Sequence, residues 1–87
     1  MDDNWIASFQ KKLDEHYAWP ALYTYKFIVP KGKEDDVKAL FPYHLTTERN
    51  SKQGNYTSLT VQLMMPSSDA VVAIYKKAAL IEGIVAL

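Results

Sequence analysis

The side chains best suited to molecular recognition gather at Lys26 and in the segment Ser51-Lys52-Gln53-Gly54-Asn55-Tyr56-Thr57-Ser58. Gly54 and Asn55 tolerate positive φ, and a turn built on them directs backbone N–H groups outward, as in small anion nests. A tight hairpin needs the same two residues for its own sake, so the turn implies a chain reversal before it implies a ligand. Tyr56 and Ser58 stand two apart, which places them on one face of an extended strand. Beside Lys26 or Thr24 of a neighbouring strand they would line either a ligand surface or a dimer interface. The candidate binding residues are therefore Lys26, Ser51, Lys52, Gly54, Asn55, Tyr56 and Ser58.

Catalytic chemistry finds little support. His16 follows the first apolar stripe, His44 opens a polar stretch, and neither has an acid and a nucleophile at a recognisable spacing. Two solvated histidines are the simplest account. The run Glu34-Asp35-Asp36 suits the first turn of a helix, where carboxylates complement the positive end of the dipole, better than it suits a cation site. The chain has no cysteine, which excludes disulfides, thiolate zinc sites, iron–sulfur clusters and a Cys nucleophile. Three glycines do not make a phosphate-binding or dinucleotide motif. We expect no enzyme, no metal and no cofactor.

The elements that must position these residues follow from periodicity. Trp5, Ile6, Phe9 and Leu13 fall on one stripe of a helix over residues 1–18, which Asp2, Asp3 or Asn4 would cap. The stripe packs on the domain or anchors a partner, and apolar helical faces more often serve a core. Trp19-Pro20 ends that segment. From Leu22 to Val29 the chain is β-branched and aromatic, with Tyr23, Tyr25, Phe27 and Val29 on the expected core face and Leu22, Thr24, Lys26 and Ile28 on the other. Pro30-Lys31-Gly32 breaks the strand, and a short helix carries Val37, Leu40 and Phe41 inward before Pro42. Tyr43 to Lys52 reads as a polar edge strand. Tyr56 to Met65 alternates, with Leu59, Val61 and Leu63 inward. Pro66-Ser67-Ser68-Asp69 marks a break and a cap, and Val71, Ile74, Tyr75 and Ala78 repeat at helical spacing with Lys76 and Lys77 near the end. A last strand, Ile84 to Leu87, follows Gly83.

After the N-terminal helix the order is βαββαβ, which predicts an α+β ferredoxin-like plait over residues 19–87: a four-stranded antiparallel sheet with two helices on one face. Tyr23-Thr24-Tyr25-Lys26 and the hairpin Ser51 to Ser58 resemble the YbeD-like family of small bacterial proteins over about residues 19–87. The resemblance implies an ACT-like variant of the plait and a regulatory or ligand-sensing role inferred from fold. It also implies a ligand near the first strand-to-helix loop, at Pro30, Lys31 and Gly32, often across a subunit interface. The sequence departs from that pattern in its short helix near Lys33 to Phe41 and in its added N-terminal helix.

With 87 residues, 48% of them hydrophobic and 23% charged, the chain forms one small domain with a modest core. Ten basic and ten acidic residues leave no net charge to attract nucleic acid or an anionic membrane. The acidic N-terminus and the absence of a long apolar run suggest a cytoplasmic protein without membrane spans. Three functions remain: a non-enzymatic module that senses a metabolite or docks on a protein, a single-stranded nucleic-acid binder, and a structural adaptor that includes a homodimer through the sheet or hairpin. Lys52-Gln53-Gly54-Asn55-Tyr56 partly matches the motif of RNA-recognition plaits, but Ser58 follows where a second stacking aromatic is required. Nucleic acid is thus the less favoured partner.

Overall fold

In the computed structural model, which describes residues 3–87, the elements are α1 (Asp3–His16), β1 (Ala21–Pro30), α2 (Glu34–Lys38), β2 (Thr47–Asn50), β3 (Tyr56–Met65), α3 (Ser68–Ala78) and β4 (Val85–Ala86). They make one antiparallel sheet in the order β2-β3-β1-β4, the arrangement of a ferredoxin-like plait with an extra N-terminal helix. β1 and β3 pair over their whole length, from Ala21 opposite Met65 to Pro30 opposite Tyr56. The flanking strands are short. β2 pairs only with residues 57–60 of β3, and β4 only with Phe27 and Ile28 of β1.

One expectation is corrected and a second is narrowed. The edge strand expected over Tyr43 to Lys52 is confined to Thr47–Asn50, because Tyr43 and Leu45 are almost wholly exposed and have no sheet face to cover. The cap expected at Asp2, Asp3 or Asn4 is not found at the last two, since both lie within α1, and Asp2 falls outside the described residues.

Tyr25 is fully buried at the centre of the core. Its ring lies 4.8 Å from Tyr23, 5.0 Å from Tyr75 and 5.2 Å from Phe41 between centroids, within the range in which aromatic pairs attract. Burying phenols requires partners for their hydroxyls. Tyr25 donates to the Val71 carbonyl at 3.0 Å, and the Tyr23 and Tyr75 hydroxyls bond to each other at 2.9 Å. Burial pushes all three phenols above their usual range.

α3 begins where Ser67, in extended backbone, accepts from the Ala70 N–H, and it ends with Lys76 and Lys77 in its last turn. α1 packs against α3. Leu13 is buried, Phe9 meets the Tyr75 ring edge-on at 5.5 Å, and the Gln10 amide bonds the Asp69 carboxylate. The apolar stripe of α1 therefore serves the core rather than standing free.

α2 is held to the sheet by polar contacts as well as by buried Val37. Glu34 accepts the Gly32 N–H at 2.7 Å and the buried Thr57 hydroxyl at 2.8 Å, and Asn50 lies 3.2 Å from that hydroxyl. Hydrogen bonds from its own N–H, from Thr57 and from Gly32 hold the Glu34 carboxyl below its ordinary value of 4.5. Lys38 reaches across to Glu48 on β2 at 2.7 Å.

Two outcomes are expected. Tyr75→Phe strands the buried Tyr23 hydroxyl and lowers unfolding free energy by about 1–3 kcal/mol, whereas Tyr23→Phe/Tyr75→Phe recovers much of the loss because both polar groups leave together. Urea titration of the two variants decides this, and equal losses would contradict it. Because the folded pKa of Glu34 is depressed, its contribution is present above the ordinary carboxylate range and is lost as pH falls through 4.5 and below. Glu34→Gln is then less stable than wild type at pH 7, and the gap narrows as pH falls below the ordinary carboxylate range. A gap independent of pH would show that charge is not involved.

Candidate functional site

The helices cover one face of the sheet and leave the other open. Register fixes what the open face displays. Since Tyr23, Tyr25, Phe27 and Val29 are buried, the alternate residues Leu22, Thr24, Lys26 and Ile28 point outward, as do Tyr56, Ser58, Thr60, Gln62 and Met64 of the directly paired β3. Thr47 pairs with Thr60 and Arg49 with Ser58, so both also face outward, while Glu48 pairs with buried Leu59 and turns toward α2.

Three rows cross the open face. Lys26, Thr60 and Thr47 form one, Ile28, Ser58 and Arg49 the next, and Pro30, Tyr56 and the start of the hairpin the third. Two adjoining depressions lie along them. One, of about 240 Å³, is lined by Lys26, Thr47, Arg49, Ser58 and Thr60. The other, of about 350 Å³, is lined by Ile28, Arg49, Asn50, Ser51, Tyr56 and Ser58, and that volume falls at the lower end of the roughly 300–1,000 Å³ usual for ligand pockets. Arg49 and Ser58 belong to both.

The charge on these rows is one-sided. Lys26 and Arg49 are exposed and enter no ion pair among the described residues, and no carboxylate lines either depression. The adjacent acid, Glu48, is engaged by Lys38 on the opposite face. Two hydroxyls, from Ser58 and Thr60 of β3, lie between the two cations, and Thr47 stands beside Arg49 on β2. Tyr56, 50% exposed, adds a ring beside Ile28. Such a surface offers donors and positive charge at one end and apolar contact at the other, with no general base.

The residues singled out from sequence are distributed unevenly. Lys26, Ser51, Tyr56 and Ser58 line the depressions. Lys52, Gly54 and Asn55 form the hairpin turn, where Gly54 has φ 72° and donates to the Ser51 carbonyl at 3.0 Å. Ser51 closes the hairpin by donating its N–H to the Tyr56 carbonyl at 2.9 Å, and its hydroxyl accepts the Tyr56 N–H at 3.3 Å. Pro30, Lys31 and Gly32 lie where β1 leaves the sheet. The amides of that loop are already taken: Lys31 donates to Asn55, Lys33 to Pro30, and Gly32 to Glu34. A ligand at the first strand-to-helix loop would have to compete with these bonds.

Arg49, Thr47, Thr60 and Ile28 were missed. Alternation marks Thr60 and Ile28 as outward-facing, but only the pairing of β2 with β3 brings Arg49 and Thr47 to the same rows. Among the described residues, no group of three or more His, Cys, Asp or Glu side chains is placed to hold a metal ion, and no helix is long and apolar enough to cross a membrane.

Comparison with curated proteins and with solved structures returned no match. A family model described as "Protein of unknown function (DUF493)" matches residues 14–86, from the last turn of α1 through β4. The match takes in every strand and both plait helices, and the chain belongs to that family.

Proposed function

We propose that the chain is a non-enzymatic ligand-sensing module whose small-molecule ligand rests on the open face of the sheet, around Arg49 and Ser58. One observation carries this reading: Lys26 and Arg49 line adjoining depressions with hydroxyls between them and no acid beside them. Cations kept apart from carboxylates retain their full attraction for an anionic group. The absence of a histidine or carboxylate from either lining supports binding over catalysis, since the hydroxyls there have no base to activate them.

The hydrogen bonds of the first strand-to-helix loop argue against a ligand there. Sequence resemblance places it at Pro30, Lys31 and Gly32, whose amides are used internally. The open face leaves side-chain donors available. A second reading, a protein adaptor or homodimer, draws on Leu22 and Met64, which face each other across β1 and β3 at 51% and 59% exposure. Their pairing makes a small apolar patch at the end of the sheet away from Arg49.

Amide NMR spectra of the labelled chain, recorded with pooled amino acids, nucleotides and coenzymes, test the proposal. Saturable shifts are expected at Lys26, Arg49, Ser51, Tyr56 and Ser58, reduced in Arg49→Ala. Shifts confined to Pro30–Gly32 would return the ligand to the loop, and a silent spectrum would reject ligand sensing. Concentration-dependent broadening centred on Leu22 and Met64 would instead favour the adaptor.

A further inference from the structure

We infer that the open-face site takes a phosphate monoester joined through a sugar to a flat base, the chemistry of a nucleoside monophosphate. This rests on the reading of that face as a ligand site and adds the class of ligand. The phosphate belongs in the smaller depression and the ring in the larger one.

The smaller depression matches a compact dianion. Lys26 approaches from β1 and Arg49 from β2, separated by the width of β3, with strands about 4.8 Å apart. The Ser58 and Thr60 hydroxyls rise from β3 between them, and Thr47 closes the outer side. The Ser58 hydroxyl already donates to the Arg49 carbonyl at 3.4 Å, but an ammonium, a guanidinium fork and the Thr47 and Thr60 hydroxyls still supply more donors than one carboxylate can use, whereas three phosphate oxygens can engage them together.

The larger depression suits a ring. Ile28 and half-exposed Tyr56 give it apolar surface, and a phenol ring offers a stacking face for a planar group. Because Arg49 and Ser58 line both depressions, one molecule can span them with its charged end between the cations and its flat end beside Tyr56. The count of groups also limits the ligand's size. The outward face of β3 carries one aromatic, followed by Ser58, Thr60, Gln62 and Met64, so it provides one stacking platform rather than the series a nucleic-acid strand requires.

The test is amide NMR titration of the full chain at low salt with AMP, adenosine, ribose 5-phosphate and single-stranded hexa-adenylate, using wild type, Arg49→Gln, Lys26→Gln and Tyr56→Leu. AMP is expected to shift both Lys26/Ser58/Thr60 and Ile28/Tyr56, ribose 5-phosphate only the first group, and adenosine to bind more weakly than AMP. Each charge variant should weaken AMP about tenfold, the scale of one charge-assisted contact, and added salt should weaken it further. Tyr56→Leu should spare ribose 5-phosphate while weakening AMP. Equal binding of AMP and adenosine, or AMP shifts unchanged in both charge variants, would overturn the inference. If AMP is silent while another pooled metabolite shifts the same residues, the ligand class fails and the site stands; if nothing shifts them, the site fails as well. Hexa-adenylate binding no more tightly than its six nucleotides allow by number supports a free nucleotide, and much tighter binding would overturn the single-platform account in favour of a strand.

Discussion

Ten consecutive pairs, from Ala21 opposite Met65 to Pro30 opposite Tyr56, lock β1 and β3 in one register, and both the core and the open face are consequences of that alignment. With this pairing Tyr25 and Val61 lie side by side under α3, while Lys26 and Thr60 lie side by side on the far surface. A slip of one residue in either strand would invert its faces, sending aromatic rings into water and Lys26 or Thr60 into the core. The cost of that exchange makes the register unambiguous. The Tyr25 hydroxyl bond to Val71 and the Tyr23–Tyr75 pair reinforce it, because each works only when those phenols point toward α3.

The two layers divide the labour of the chain. All large buried side chains serve the interface between the sheet and the helices, including Leu13 contributed by α1. The opposite surface holds no buried hydrophobic side chain of β1 or β3. It holds hydroxyls and cations near β2 and apolar side chains at Leu22 and Met64. Glu34 links the layers at one end, joining the loop after β1 to Thr57 on β3 beneath the hairpin.

Much of this was legible in the order of residues. Strict alternation over Tyr56–Met65 and the aromatic run before Pro30 identified the two central strands, and Pro66-Ser67-Ser68-Asp69 ahead of Val71, Ile74, Tyr75 and Ala78 identified α3 and a cap before it, which the structure places at Ser67. These signals are local and repeat often enough to stand out. β2 was overextended because Tyr43-His44-Leu45 has strand-forming residues but no partner, and pairing rather than propensity decides an edge strand. Arg49 was missed as a site residue for a related reason. Nothing in Thr47-Glu48-Arg49-Asn50 tells which of its side chains face which way until β3 supplies the register. Likewise, the resemblance put a ligand at Pro30, Lys31 and Gly32, and only the folded position of Glu34 shows the Gly32 amide to be occupied.

The placement of Arg49 on β2 ties the candidate site to one of the two short flanking strands of the sheet. None of the four residues of β2 is buried, and apart from its ladder with β3 the strand is fastened by the Lys38–Glu48 ion pair and by Asn50 near Thr57. Opening this strand would leave the β1–β3 ladder intact, so it belongs to the low free-energy fluctuations that native proteins undergo without unfolding. Each such fluctuation withdraws the guanidinium from the surface, and any molecule that engages it must hold the strand in place. On the proposed reading, occupancy is written into the exchange protection of the amides that join β2 to β3, and the edge of the sheet itself acts as the reporter.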